Sequence, residues 1–509
     1  MADPAFRSRR FNPWLGAALF AAPLLAGWPG LGPQGAITPD GIDYVNIARN
    51  LVHGRGFVHT IKWHYFDERP IVAPAWGQRP PMYSIFLAPI VALGGGPKAM
   101  GAANLFLLGL ASLAAGGLAW RMAGAQAAAA AGLVVGLAPP MLFTASFPLT
   151  EPLFIVFVFL SLGALAFGQS APEGKSREEA AAAAAGLVAF AAYLTRSSGT
   201  ALLLAELIWL ARRRAWRQAA ALALAFTIPL ALWSCGLKAY CGSYTYSMQK
   251  YHLVCGNFAD EIGQTFGKQY PAASVFMASH ARAILQTVAG HFRQYLGALF
   301  SADQLSLLTP LLGLALLAGA GGSAAGLLAL YGALNVALCA VVWSTHEGVR
   351  FMLPSFAVLA PVACAGAERA LRQRPWLRWT PLLAAAVVIA LYAPQIASNW
   401  QGARRGRARP LRLSAAEIQW IERTIPEMTP IGTDMPFEVN FFCDRPTAWT
   451  QWTNPAFDLA AFLEKCPVGL LALTPDGAAA LRASRWAGLA RSIGQQAMPP
   501  LEWFVLAGP

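Results

Sequence analysis

Apolar runs long enough to cross a bilayer recur along this 509-residue chain, and no other feature constrains its fold as tightly. In lipid, every backbone N–H and C=O must find a partner inside the protein, so spanning segments are helices of about 20 apolar residues or closed barrels. The runs here have helical length. They fall at 12–31, 101–120, 124–144, 150–168, 179–195, 198–211, 217–236, 299–319, 323–343, 351–368 and 379–397. They predict an α-helical polytopic membrane protein with about 11 transmembrane helices. Only 12% of the residues are charged, against about 25% in a soluble globular domain.

The formal net charge of +13 does not point to nucleic acid. Its basic residues sit in short patches between apolar runs, where they set orientation. Arg7, Arg9 and Arg10 precede the first run, Arg212, Arg213, Arg214 and Arg217 follow the sixth, and Arg369, Arg372, Arg374 and Arg378 follow the tenth. With a cytoplasmic N-terminus all three patches lie inside. The first run has no small-residue cleavage site, so it reads as a membrane span rather than a signal peptide. Tyr83–Leu93 is apolar but short, and is expected as an interfacial or re-entrant helix.

This topology predicts a transmembrane domain over 1–400, with a first periplasmic loop at 32–100 and a second at 237–298. Beyond residue 410 the pattern alternates between helical and extended stretches. Glu417–Ile425, Asp458–Lys465 and Ala478–Ser492 read as helices, and Thr429–Thr433, Val468–Thr474 and Leu501–Leu506 as strands. Residues 410–509 are therefore expected as a small periplasmic α/β domain. The alanine run Ala180–Ala185 predicts close helix packing.

An oxidising outer compartment would permit Cys241–Cys255 and Cys443–Cys466 bridges among the seven cysteines. Their odd number and spacing give no metal motif. His53, His59 and His64 share the first loop but lack i, i+4 geometry, so they read as surface residues and a divalent metal is not favoured. No P-loop, GxGxxG fingerprint or nucleophile elbow is present, and no cofactor is expected.

Ionisable residues stand out against this apolar background. Thr38-Pro39-Asp40-Gly41-Ile42-Asp43-Tyr44 opens a helix just beyond the first span, where Asp40 and Asp43 are either capping acids or a base at the lipid–water boundary. Arg79 precedes Pro80-Pro81, which stiffen the backbone and present a guanidinium suited to phosphate. Glu151 begins the fourth span, Arg196 interrupts an apolar hairpin, and Arg350 opens the tenth span after His346-Glu347-Gly348. Charges at membrane depth either pair structurally or mark a cavity. All of these fall at the outer face.

Read in order, the motifs resemble a family. Asp40-Gly41-Ile42-Asp43-Tyr44-Val45-Asn46-Ile47-Ala48-Arg49-Asn50-Leu51, followed by Gly54-Arg55-Gly56-Phe57, is similar to the first outer loop of the GT-C membrane glycosyltransferases. The closest types are lipid-A aminoarabinose transferases and protein O-mannosyltransferase-like enzymes. Arg79-Pro80-Pro81-Met82-Tyr83 resembles their basic-Pro-Pro-Leu-Tyr segment, with Met82 for Leu. Thr150-Glu151-Pro152-Leu153, Leu194-Thr195-Arg196 and Arg350-Phe351-Met352-Leu353-Pro354 match further landmarks, and the likeness covers about 12–400.

The resemblance implies an inverting transfer of a sugar from a polyprenyl-phosphate donor to a periplasmic lipid, glycan or protein acceptor, in the bacterial inner membrane. The family's base, four residues before the Tyr, falls on Asp40. Its frequent second acid falls on Gly41, and Asp43 is the spare acid, so the base is Asp40 or Asp43. Arg79, Arg196 and Arg350 are the expected phosphate ligands. Tyr44, Tyr83, Glu151, His346 and Glu347 are the expected pocket residues. Competing readings are a flippase of lipid-linked sugars and a non-catalytic envelope-assembly subunit.

Overall fold

The computed structural model describes residues 11–32, 37–65, 69–77, 79–168, 175–242, 244, 266–267, 273–301, 304–305, 308–317, 323–342, 348–371, 379–404, 415–454, 456–493 and 501–506. Numbered along the chain, the first ten helices are α1 (Pro13–Gly27), α2 (Pro39–Val52), α3 (Pro81–Ala92), α4 (Pro97–Met122), α5 (Ala125–Leu137), α6 (Pro139–Ala145), α7 (Glu151–Gly168), α8 (Lys175–Tyr193), α9 (Gly199–Arg212) and α10 (Trp216–Cys241). There follow α11 (Ala273–Ser279), α12 (Ala281–Leu299), α13 (Thr309–Leu317), α14 (Ser323–Val342), α15 (Gly348–Leu371), α16 (Thr380–Arg404), α17 (Ala415–Thr424), α18 (Pro436–Cys443), α19 (Leu459–Lys465) and α20 (Pro475–Ala483).

Among the described residues, seven helices are long and apolar enough to cross a membrane: α1 with its trailing turn, α4, α7, α10, α14, α15 and α16. An eighth span results if α5 and α6, bent by 53° at their junction, count as one. That bend follows from Pro139-Pro140, because the residue before a proline is pushed out of the helical region and Ala138 sits at φ −58°, ψ 127°. Three expected spans do not meet this measure. Helix α8 begins with Lys175, Arg177, Glu178 and Glu179, α9 has only 14 residues, and the 299–319 run is split between the end of α12 and the nine residues of α13. Helix α3, as expected, is a short apolar helix.

Small residues set the packing distances. A side chain at Gly109 would meet the Phe20 carbonyl at 2.8 Å, and one at Gly132 the Ser112 carbonyl at 3.0 Å, so α1, α4 and α5 lie backbone against backbone. On α8, Ala182, Ala185 and Ala189 are fully buried, in line with the close packing expected of the alanine run. Helix α15 passes through the middle of the bundle, almost wholly buried, against α4, α5, α7, α13 and α14.

The C-terminal sheet region carries one departure from a domain appended by its tether alone. Its strands β4 (Ile431–Thr433), β5 (Thr447–Trp449), β6 (Leu470–Leu473), β7 (Ala490–Ser492) and β8 (Glu502–Leu506) are joined by β2 (Ile61–Lys62) from the first loop. The order is β2-β5-β4-β6-β8-β7, parallel from β2 to β6 and antiparallel beyond. A separate two-stranded ribbon pairs β1 (Val58–His59) with β3 (Ala73–Pro74). The helix expected over Ala478–Ser492 stops at Ala483, because Ser484 turns extended and Ala490–Ser492 is drawn into pairing with β8.

Cys443 and Cys466 are not bridged; each packs into a different apolar cluster. The segment expected as a 237–298 loop is largely helical where it is described, in the end of α10 and in α11 and α12. Its residues 243, 245–265 (with Cys255) and 268–272, together with His346, Glu347 and the basic residues Arg7, Arg9, Arg10, Arg372, Arg374 and Arg378, lie outside the described residues.

Candidate active site

The site is assembled from helix ends. Thr38 caps α2, its hydroxyl accepting from the Gly41 amide at 3.1 Å, and Pro39 takes the first helical position where its missing N–H costs nothing. This start places Asp40, Asp43, Asn46 and Asn50 along one polar stripe of the helix. Gly41 is a packing requirement: a side chain there would meet Pro148 Cγ at 2.7 Å and its carbonyl at 3.2 Å. The position at which the resemblance places a second acid therefore has no room for one.

From that stripe runs an unbroken alternation of charges. His59 Nε2 lies 2.8 Å from Asp43 Oδ1. Arg79 reaches Asp43 Oδ2 through Nε at 2.9 Å and Nη2 at 2.6 Å, and Asp40 Oδ1 through Nη2 at 2.7 Å. Asp40 Oδ2 accepts from Arg350 Nη2 at 2.6 Å. Arg350 Nε contacts Glu151 Oε1 at 2.6 Å, and the same oxygen accepts from Arg196 Nη1 at 2.6 Å. Arg196 Nη1 also donates to the Thr150 hydroxyl at 2.8 Å.

Each side chain is delivered by a terminus on the same side of the bundle: Asp40 by the start of α2, Glu151 by the start of α7, Arg350 by the start of α15, and Arg196 by the turn between α8 and α9. The backbone amide of Met82 donates to the Leu194 carbonyl at 3.0 Å, which fixes the Arg79-Pro80-Pro81 turn against the Arg196 turn. Aromatic rings line the cluster. Arg79 stands 5.4 Å over Tyr44 and 5.8 Å over Trp63, and Phe351 lies beneath both Arg196 (5.2 Å) and Arg350 (5.5 Å).

Exposure distinguishes the acids. The Asp43 side chain is 0% exposed and Glu151 1%, whereas Asp40 is 24% exposed, so of the three only Asp40 is open to a ligand. Burial works to raise the Asp40 carboxyl, but the charges and hydrogen bonds of Arg79 and Arg350 prevail and hold it well below the usual carboxylate range. Burial likewise opposes the Arg79 charge, and the Asp40 and Asp43 carboxylates more than offset it. Burial also pushes the Tyr44 phenol up.

Asp40, Asp43, Arg79, Glu151, Arg196 and Arg350 thus converge, with Tyr44 beside them. Tyr83 sits one layer deeper, wholly buried, its ring edge-on to Tyr44 at 5.2 Å and its hydroxyl donating to Asn104 Oδ1 at 3.1 Å. The loop histidines go separate ways: His53 to Asp444 at 3.4 Å, His59 to Asp43, and His64 against the Trp63 ring at 3.6 Å. Among the described residues no three His, Cys, Asp or Glu side chains gather as a metal site needs.

Sequence reasoning missed His59, which is 2% exposed rather than a surface residue, and Trp63. It also missed the lock between loop and sheet. Asn46 donates to the Thr60 hydroxyl at 2.6 Å and to Asn440 Oδ1 at 3.0 Å, while Arg55 reaches Asp444 at 3.2 Å and Glu427 at 3.1 Å. The i, i+3 continuation of Asp40 and Asp43 into Asn46 was the available signal.

No protein-family profile matches this sequence, and no curated protein matches it. Solved structures do. ArnT from Cupriavidus metallidurans bound to undecaprenyl phosphate superposes at a TM-score of 0.57 and 16% identity, over 98% of this chain and 99% of that one. The archaeal oligosaccharyltransferase AglB from Archaeoglobus fulgidus, in complex with an inhibitory peptide and a dolichol-phosphate, gives 0.53 and 13% over 92% and 70%. The arabinofuranosyltransferase AftD from Mycobacteria gives 0.54 and 14%, over 99% of this chain and 42% of that one. The chain is a multi-pass membrane protein with the GT-C fold of these glycosyltransferases.

Proposed function

We propose that the protein is a membrane glycosyltransferase that moves a sugar from a polyprenyl-phosphate carrier onto a periplasmic lipid, glycan or protein acceptor. The observation that carries this reading is the alternating cluster, in which one reachable carboxylate stands between two guanidinium groups. Structures of the same fold hold polyprenyl phosphates: undecaprenyl phosphate in ArnT and a dolichol-phosphate in AglB.

In the reaction, the acceptor hydroxyl oxygen bonds to the anomeric carbon as the bond from that carbon to the phosphate oxygen breaks, with inversion. Asp40 takes the hydroxyl proton. Polyprenyl phosphate leaves with the electron pair, and its charge is met by Arg79 and Arg350 with Arg196 behind them. A phosphate leaves well without protonation, so no general acid is required. Asp43 acts by holding Arg79. Its full burial and two partners leave it no access to an acceptor, which favours Asp40 as the base.

The cluster lies at helix termini rather than midway along them, which favours transfer over flipping. Opening of the site to the periplasmic face of a bacterial inner membrane, with a cytoplasmic N-terminus, belongs to the same proposal. Full-length protein in lipid nanodiscs, given a polyprenyl-phosphoryl sugar with lipid, glycan or peptide acceptors, is expected to release polyprenyl phosphate and glycosylated product. No release with any acceptor class would sink the reading.

A further inference from the structure

The candidate site is electrically closed as it stands. Three carboxylates (Asp43, Asp40, Glu151) alternate with three guanidinium groups (Arg79, Arg350, Arg196), and Asp40 uses both of its oxygens on the two arginines nearest it. A phosphate brought into this cluster adds negative charge to a balanced set. It cannot share Arg79 and Arg350 with all the acids that now hold them, because like charges in a poorly solvated site repel strongly.

The geometry shows which acid can yield. Asp43 is wholly buried, with His59 on one oxygen and Arg79 on the other. Glu151 is wholly buried between Arg350 and Arg196, beside the Thr150 hydroxyl. These two anchor the far sides of Arg79 and Arg350. Asp40, on the first turn of α2, is the exposed member, and a rotamer change releases both of its contacts without moving an arginine.

We propose that Asp40 occupies the phosphate subsite of the unliganded protein, and that the phosphate of a polyprenyl carrier binds by taking Arg79 and Arg350 from it. This inference rests on the polyprenyl-phosphate reading given above. It has a consequence for the reaction: a carboxylate clamped by two guanidinium groups is a poor base, and losing them to the donor makes Asp40 a better one. The base is then switched on by the donor, and donor must bind before the acceptor can be deprotonated.

The test is binding of undecaprenyl phosphate to wild type, Asp40→Asn, Asp43→Asn and Glu151→Gln, each in nanodiscs, with thermal melting to confirm folding. If Asp40 holds the subsite about nine-tenths of the time, removing its charge tightens binding about tenfold, since apparent affinity scales with the competent fraction. Asp43→Asn and Glu151→Gln are expected to weaken binding, because each loosens an arginine that meets the phosphate; a tightening equal to that of Asp40→Asn would overturn this inference. Equal or weaker binding by a folded Asp40→Asn overturns this inference and leaves the proposed function standing. Failure of wild type to bind undecaprenyl phosphate at all overturns both. Equal binding of inorganic phosphate would assign the subsite to free phosphate and also overturn the proposal. Should Asp40→Asn not fold, the infrared difference spectrum of ¹³C-aspartate-labelled wild type decides: a carboxylate band that shifts on adding undecaprenyl phosphate supports displacement, and an unmoved band overturns it.

Discussion

Asn46 of the first loop and Asn440 of the C-terminal sheet region, 394 positions apart in the chain, meet in a buried hydrogen bond of 3.0 Å. Asn46 lies one helical turn from Asp43, so the sheet region braces the helix that carries both candidate acids. Replacing Asn440 by Leu removes partners from Asn46, Thr60 and the Arg445 carbonyl. Leaving buried polar groups unpaired costs about 1–3 kcal/mol for each. Asn440→Leu is therefore expected to lower the melting temperature in nanodiscs by several degrees and to reduce transfer although it touches no substrate. A variant with wild-type melting and turnover would remove the sheet region from this bracing role.

General-base catalysis is worth about 10²–10⁴ in rate. Asp40→Asn is accordingly expected to lose about that factor in sugar transfer while melting close to wild type, because its side chain is partly solvated. Steady-state release of polyprenyl phosphate measures the first quantity and differential scanning fluorimetry the second. Transfer within about tenfold of wild type would reassign the base.

Asp43→Asn should behave differently. Removing one member of a buried pair leaves an uncompensated charge and costs about 3–5 kcal/mol. Arg79 loses its anchor, so both stability and turnover are expected to fall. The contrast between the two aspartates is the readout: a larger melting shift for Asp40→Asn than for Asp43→Asn would contradict the assigned roles.

Arg350 spans Asp40 and Glu151 through different nitrogens, a reach that a lysine ammonium cannot reproduce. Arg350→Lys is expected to raise the donor KM about tenfold or more, the scale of losing one charge-assisted hydrogen bond of about 1.5–3 kcal/mol. An unchanged donor KM would place the phosphate elsewhere.

Two acids in the sheet region predict a pH effect. Burial raises the Asp434 and Glu438 carboxyls; the Asp476 charge adds to the first and the Asp434 charge to the second. A carboxyl raised on folding adds stability that is complete below its unfolded value and is lost as pH rises through its folded value. The melting temperature is expected to climb as pH falls from neutral towards the ordinary carboxylate range, and to climb less in Asp434→Asn/Glu438→Gln. Asp40, held low, works in the opposite sense but only at more acidic pH. Identical slopes in the two proteins would count against this account.

Much of the bundle was legible because apolar length and proline placement act locally. Pro39 and Thr38 mark the start of α2, and the Arg79-Pro80-Pro81 turn falls where its sequence predicts. The convergence of Asp40, Arg79, Glu151, Arg196 and Arg350 was anticipated from a shared outer face, not from any local pattern. What stayed hidden depends on distant partners. His59 looks like any loop histidine until Asp43 is placed beside it, and Pro436–Cys443 and Thr447–Trp449 are too short to announce a helix and a strand. Ala490–Ser492 reads as helix by composition and becomes strand only because β8 supplies its hydrogen bonds. Boundaries failed where polar residues break apolar runs, as in α8 and around Leu299.

The pairing of Ile61–Lys62 with Thr447–Ala448 has a temporal consequence. A ribosome adding roughly 5–20 residues per second releases the loop strand some tens of seconds before the strand it must join exists. During that interval the Asp40 helix has α3 and β1 beside it but not the sheet region, so the candidate site is complete only when synthesis is nearly finished. Truncated chains, even those retaining every charged residue of the cluster, would lack the strand partner and the Asn440 contact that hold the first loop.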